Sequence, residues 1–515
     1  MDSIELEILW SNLRSIVTEQ ARALQRTAFS PIVREAGDLA TGIFDARARV
    51  VAQTTTGTPG HINSLAEAGR IMAERYKGRL EPGDVLVTND PWIGAGHFFD
   101  ITVFAPVFMD AKLISYLGAT CHHTDIGGYG LGAGARDVHE EGLWIPPSKL
   151  YERGQPNPLL HDIIKHNVRT PDYVFGDLAA QVASCRTGGN ALINICRTHQ
   201  LTDIESVADE VISRSEDATR EAIRKLPAVT AHGESSFDAP GGEVVHLKAA
   251  VTVDPEAGEI LVDFAGSSEQ SGTGINVVMN YTQAYAVFAV RSCLNPEVPN
   301  NHGSLAPIKV IAPKGCIVNC EYPAPVNARH VVGMHVPMPI LKALYNVMPD
   351  QVIAEGSGSV WTIQVQGKCE DGNDFTSSVF NYSGGMGARA TKPGLGATCF
   401  PAGVSAVPVE ILEASIPIVF ERKELRINSG GSGAQRGGDG QIIAFRMNTK
   451  YPWVLNASPV GLDKGPEGLA GGGSGRPGRF TINGTACLDS RKVIMNPDDY
   501  VVMETPGGGG YGVPG

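Results

Sequence analysis

The chain has 515 residues, 42% of them hydrophobic and 19% charged, a globular profile with room for two to four domains at about 150 residues each. A formal charge of −13 and a pI near 5.5 argue against nucleic acid and against anionic membrane surfaces, because both demand a basic face. The N-terminus lacks the basic flank and apolar run of a signal peptide, no stretch nears about 18 unbroken apolar residues, and nine cysteines lie scattered without a CxxC pair, so reduced thiols and a cytoplasmic location are expected.

In chain order, Ile4, Ile8, Leu9, Leu13, Ile16 and Val17 recur at helical spacing and predict a helix over 4–27, with Asp2 or Ser3 as its cap. A hairpin follows over 41–53, then a helix over 61–77 and a strand over 85–88. Residues 100–108 and 112–120 are rich in Ile, Val, Phe, Tyr and Leu and read as a second hairpin, joined at 109–111. The glycine-rich and then proline-bounded stretch 126–148 reads as a loop over a site, and 158–226 as mostly helical. Pro227 and Pro240-Gly241-Gly242 mark a domain boundary near 227–243. Beyond it come strands at 244–253 and 259–264, helices at 278–294 and 336–347, and about 110 final residues of strand and glycine turn. The fold class is therefore mixed α+β. An N-terminal α/β domain over 1–230 carries the hairpin and the helical segment, and a β-rich domain covers 231–515.

The chemistry concentrates at Gly96-His97-Phe98-Phe99-Asp100 and Cys121-His122-His123-Thr124-Asp125. A turn centred near residue 110 sets Asp100 opposite Cys121 and Phe99 opposite His122, so the open end of the hairpin gathers His97, Asp100, His122, His123 and Asp125. Two imidazoles with one or two carboxylates suit Mn, Zn or Fe. His122 and His123 point to opposite faces, so one of them binds metal and the other serves acid–base chemistry or orients a ligand. Asp125 and Glu141 are the carboxylates considered for proton transfer, Glu141 from the loop segment that also holds Asp137, His139 and Glu140. Asp38 is a further candidate carboxylate that sequence alone does not bring to the hairpin. Trp92, Phe98, Phe99 and Trp144 are expected to form an apolar pocket that excludes water.

Glycine and proline number 61 and 33, below the roughly 25–30% that marks disorder. The clusters at 384–389, 429–433 and 436–438 match no GxxxxGK[ST] loop and read as tight β-turns, so no nucleotide site is expected in this chain. No GxSxG elbow is present.

Taken together and in order, Gly42-Ile43-Phe44-Asp45, Thr88-Asn89-Asp90-Pro91, Gly96-His97 with Asp100, His122 with Asp125-Ile126-Gly127-Gly128, Gly384-Gly385-Met386-Gly387-Ala388-Arg389, Pro408-Val409-Glu410 and Thr505-Pro506-Gly507-Gly508-Gly509-Gly510 resemble the hydantoinase B/oxoprolinase family over nearly the whole chain. The resemblance implies a hydantoinase A-type partner that binds ATP and Mg, in a hetero-oligomer such as a heterotetramer. It implies that the partner phosphorylates the substrate or bicarbonate, and that His97, Asp100 and His122 hold a divalent metal with Asp38 as fourth ligand. It further implies a small cyclic amide as substrate (hydantoin, lactam or oxoproline-like). His97-Phe98-Phe99-Asp100 replaces the usual His-Leu-Pro-Asp, and residues 129–136 replace the usual Pro-Gly-Ser-Met segment. These variants resemble the branch with caprolactamase and acetophenone carboxylase subunits. Ketone carboxylation is accordingly the alternative reaction, and a non-catalytic scaffold for the ATPase subunit the third reading.

Overall fold

The leucines spaced three and four apart near the N-terminus form α1 (Ser3–Thr27), with Leu6, Leu9, Leu13, Val17 and Leu24 buried along one side. Asp2 occupies the N-cap position, yet its side chain makes no capping hydrogen bond. The computed structural model describes residues 2–55, 57–358, 360–487 and 492–515. Next come β1 (Leu39–Asp45), β2 (Val50–Gln53), α2 (Pro59–Arg75), β3 (Val85–Thr88), β4 (Asp100–Met109), β5 (Lys112–His122), β6 (Ser148–Glu152) and β7 (Gln155–Pro156). The seven strands make one antiparallel sheet in the order β2-β1-β5-β4-β3-β6-β7.

Three helices complete this half: α3 (Pro158–Asn167), α4 (Pro171–Thr198) and α5 (Glu205–Arg224). One face of the sheet packs on α2, where Phe44, Phe104 and Tyr116 meet Leu65, Ala68 and Met72. The other face packs on α1 and α4. Antiparallel sheets often leave one face in water. Here both faces are covered, so β1 and all but the start of β5 are buried, and the strands read as apolar runs rather than alternations. Among the described residues no helix is long and apolar enough to cross a membrane.

The turn between β4 and β5 is Asp110-Ala111, both at positive φ (49° and 64°), in keeping with the tight hairpin turns that match strand twist. It pairs Met109 with Lys112 and Phe108 with Leu113, and then the register slips, so that Val107 faces Ser115 and Ile114 is the extra residue. The expected pairing of Asp100 with Cys121 is thereby corrected by one residue: Asp100 faces His122, and Ile101 faces Cys121. Directly opposed residues share a face of the sheet. The bulge thus sets an imidazole, rather than a thiol, beside Asp100.

The stretch read as a boundary contains a strand, β8 (Val229–Asp238), because alternate residues such as Ala231 and Phe237 are buried. It pairs with β9 (Val244–Asp254), then β10 (Glu259–Asp263), and β11 (Ile308–Ile311) joins β10 in parallel. The helix α6 (Met279–Leu294) and the segment Pro337–Tyr345 pack against this sheet. Two further antiparallel sheets follow. One holds Val360–Lys368, Asp374–Ser383, Trp453–Ala457 and Val493–Met495. The other holds Ile418–Arg426, Gly440–Met447, Tyr500–Glu504, Arg479–Ile482 and Thr485–Ala486. A short helix, Val409–Ser415, interrupts the tail expected to be strand and turn alone.

The glycine clusters are not tight turns. Their extended backbones stack directly on one another: Gly385 donates to the Pro506 carbonyl, Gly438 to Met386, Gly508 to Gly438, Gly431 to Gly508 and Gly510 to Gly473. A Cβ at Gly385, Gly437, Gly508 or Gly510 would lie 1.9, 2.0, 2.1 and 2.0 Å from a neighbouring carbonyl oxygen. None of these residues has a positive φ. Glycine is required here for space rather than for handedness, as at the crowded axis of collagen. Gly508→Ala is expected to lower the unfolding free energy by at least about 3 kcal/mol, the upper range for overpacking. Gly272→Ala, whose Cβ meets nothing within 4 Å, should change it by less than about 0.5 kcal/mol. Urea midpoints of the two variants check this difference.

Candidate metal centre

His97 precedes β4, Asp100 opens it and His122 ends β5. Nε2 of His97 and Nδ1 of His122 stand 2.9 and 3.0 Å from one oxygen, Oδ1 of Asp100. One ligand atom from each of these buried residues lies within 4.8 Å of the others, close enough to share an ion. The second oxygen of Asp100 meets Nε2 of His61 at 2.7 Å and also the Arg329 guanidinium. His61 turns its other nitrogen to Oδ1 of Asp38 at 3.3 Å. Asp38 therefore reaches the site alongside His61, and the tight cluster itself comprises His97, Asp100 and His122.

The tautomer of His97 follows from its surroundings. Its Nδ1 lies 2.9 Å from the Asn327 carbonyl, which only accepts, so Nδ1 carries the hydrogen. Burial, reinforced by the positive charge of Arg329, brings this ring's pKa down to about 3. The imidazole is thus neutral, and Nε2 presents a lone pair to a carboxylate oxygen with no hydrogen bond between them. Two acceptors at that distance repel unless a cation lies between. Neutral imidazoles with a carboxylate are the donor set that Zn, Mn and Fe take. Burial alone would raise the pKa of Asp100, but His61, Arg329 and the hydrogen bond from His122 outweigh it and hold the carboxyl well below its usual range. Burial likewise acts to lower His61, and the Asp100 and Asp38 carboxylates outweigh it and raise that ring. Arg329 is fixed by a 2.6 Å bond from Nε to the Ala95 carbonyl and lies 4.0 Å over the Tyr281 ring.

A chamber of about 40 Å³ opens on these groups, bounded also by Thr58, His330, Thr362, Ala402 and Val404. Gly57, Pro59, Pro401 and Gly403, which alternate with those residues in the chain, face a separate cavity of about 580 Å³. The partition between the two is a single thickness of backbone. The site draws on residues from both sides of the 227–243 boundary, so it is not confined to 1–230.

The expected aromatic pocket is arranged differently, because neighbouring residues of an extended chain point apart. Phe99 stacks on the His122 ring, with centroids 5.2 Å apart, and backs it. Phe98 turns to Trp144 at 5.5 Å, and Trp144 stacks on Trp92 at 6.1 Å, away from the chamber walls. The structure also keeps the three acid–base candidates off the chamber lining. His123 points to the opposite face and lies 3.1 Å from Gln181 Oε1 on α4. Asp125 binds the Arg169 side chain at 2.7 Å. Glu141 accepts the backbone N–H groups of Val326 and Asn327, both at 2.7 Å.

Sequence reasoning missed His61, Arg329, His330 and Tyr281. One signal pointed to His61. A histidine in the first turn of a helix opposes the helix dipole unless an anion faces it. For Arg329 the cue was a lone arginine in the apolar run 324–338, which calls for a buried counter-charge.

A buried cluster of two histidines and an aspartate, placed at the mouth of a β-hairpin within a mixed α+β fold, has the spacing to hold a metal ion. The family model for hydantoinase B/oxoprolinase matches residues 2–514, and the chain belongs to that family. It is 31% identical to the B subunit of a putative D-/L-hydantoinase from Pseudomonas sp. (strain NS671), over 100% of this chain and 90% of that protein. It is similar to the crystal structure of an ATP-dependent caprolactamase from Pseudomonas jessenii, with a TM-score of 0.90, 25% identity and coverage of 100% and 91%. An acetone carboxylase in nucleotide-free form shares the fold, with a TM-score of 0.89, 19% identity and coverage of 99% and 76%.

Asp100→Asn strips buried Arg329 of its counter-charge and should destabilise the chelator-treated protein by about 3–5 kcal/mol. Adding Arg329→Gln should restore part of that loss, as read by urea titration of the full double-mutant cycle. Acid sensitivity follows from His97, whose folded pKa lies below the unfolded value of about 6.5. Between those values the unfolded chain binds the extra proton. The contribution of His97 is fully present above pH about 6.5 and is lost at about 1.4 kcal/mol per unit as the pH drops towards 3. In chelator-treated protein, His97→Asn should flatten that slope by about one proton.

Proposed function

We propose that this chain is the B-type component of an ATP-dependent, two-component enzyme that opens a cyclic amide of the hydantoin, lactam or oxoproline kind. The observation that carries the reading is the bare Nε2 of His97 set against Asp100 beside His122, on the wall of a small chamber. Kinship with a hydantoinase and a caprolactamase supports an amide ring over a ketone. The hydantoinase relative is one subunit of its enzyme, which supports a separate partner here.

Amide resonance makes the ring carbonyl a poor electrophile. The hydantoinase A-type partner, with ATP and Mg, would phosphorylate the ring or bicarbonate and so create a leaving group. When bound, a divalent Mn, Zn or Fe ion supplies carbonyl polarisation and lowers the pKa of water. His97, Asp100 and His122 would hold it, with Asp38 as the fourth ligand. The Asn327 carbonyl keeps His97 in the ligating tautomer. Arg329 and His61 keep Asp100 ionised. Proton transfer is assigned to His61, which lines the chamber and faces two carboxylates, in preference to His123, Asp125 and Glu141. Phe99 shields the back of His122 from water.

The test is co-expression with the A-type partner. ATP hydrolysis is then measured with hydantoin, 2-pyrrolidone, caprolactam, 5-oxoproline, acetone and acetophenone, with and without bicarbonate. The expected result is turnover stimulated by one of the amides, with ring-opened product, and loss of both activity and bound transition metal in His97→Ala. Turnover that needs a ketone and bicarbonate would replace this reading with ketone carboxylation. Full activity of His97→Ala without bound metal would leave a scaffold role.

A further inference from the structure

Glu141 lies in the loop segment after β5, yet its contacts are 185 and 186 residues away in sequence. One oxygen, Oε1, accepts the backbone N–H groups of both Val326 and Asn327 at 2.7 Å. The side chain is fully buried, and Oε2 has no hydrogen-bond partner among the described residues. Around this contact the two segments are tied again. Val138 donates to the Pro323 carbonyl at 3.0 Å, and the Asn327 side chain donates to the Gly130 carbonyl.

The segment that Glu141 grips supplies both outer supports of the candidate centre. The Asn327 carbonyl accepts the Nδ1 hydrogen of His97 at 2.9 Å, and Arg329, two residues on, binds Asp100. From these contacts we infer that Glu141 is a positioning residue for the candidate metal centre: it holds Asn327 by its N–H, and across one Cα the Asn327 carbonyl fixes the His97 tautomer. The inference rests on the metal reading proposed above and extends it to a residue that touches neither the chamber nor a candidate ligand.

The link runs through the Asn327 Cα: its N–H belongs to one peptide unit and its carbonyl to the next, whose own N–H, on Ala328, donates to the Gly274 carbonyl at 2.6 Å. If the carboxyl is withdrawn, two buried N–H groups lose their acceptor and Asn327 turns about its Cα bonds to satisfy them. Its carbonyl then leaves Nδ1, and Nε2 no longer keeps a bare lone pair aimed at the ion. Glu141 works as an acceptor through one oxygen. Burial pushes its pKa well above the usual carboxylate range, which suits a neutral group. A glutamine presents the same carbonyl oxygen at the same reach, so it should serve as well.

The full chain is loaded with Co²⁺, and its visible d–d spectrum and its affinity in competition with a chelator are recorded for wild type, Glu141→Gln and Glu141→Ala, with melting temperatures alongside. Glu141→Ala should weaken Co²⁺ binding by roughly 10–100-fold and alter the spectrum, whereas Glu141→Gln stays within about threefold of wild type with the same spectrum. If Glu141→Ala does not fold, Glu141→Asp, which draws the carboxyl back by one methylene, carries the same comparison. Wild-type protein that binds no Co²⁺ would overturn the metal reading itself. Wild-type binding retained unchanged in Glu141→Ala would overturn the role of Glu141 alone. Glutamine as damaging as alanine would also defeat it.

Discussion

A carboxylate sealed from water must be surrounded by compensating charge, and Asp100 governs the molecule in that sense. Its two oxygens face donors from His61, His122 and Arg329, with the neutral His97 ring alongside. These partners come from four separate places: the start of α2, the hairpin's two strand ends and the segment near 329. Desolvating a lone carboxylate costs several kcal/mol, which only close, well-aligned donors offset. The demand for such donors draws the N-terminal sheet and the later helical segments together around one point.

The opposite principle operates in the C-terminal half. There most of the closest contacts in the glycine layer are backbone to backbone, because its stacked segments approach until carbonyls occupy the space of missing Cβ atoms. Main-chain hydrogen bonds run from one segment to the next and satisfy groups that would otherwise be orphaned. The Asp100 centre and the glycine layer thus use contrasting means of cohesion, charge pairing in one and bare backbone contact in the other.

Much of this was legible in the sequence. Helix α1, the hairpin of β4 and β5 and α6 follow from apolar spacing, since packing on one face demands that spacing. His97, Asp100 and His122 emerged because a hairpin mouth brings distant residues together. The pairing of Asp100 was missed by one position, because a bulge at Ile114 leaves no mark in composition: Leu113 and Ile114 suit either register. His61 and Arg329 were missed because long-range contacts carry no spacing rule. The glycine clusters were visible but misread, since a crowded backbone and a turn both favour glycine.

The partition beside the histidines carries a mechanical implication. Small-molecule sites commonly measure about 300–1,000 Å³, and the chamber, at about 40 Å³, holds little beyond a water molecule or two. The thin backbone wall carrying Thr58 and Ala402 is what divides this small space from the larger hollow beyond it. The width of the room beside the histidines is therefore set by main chain rather than by side chains, and a change of side chain at Thr58 or Ala402 alters its lining without removing the divide.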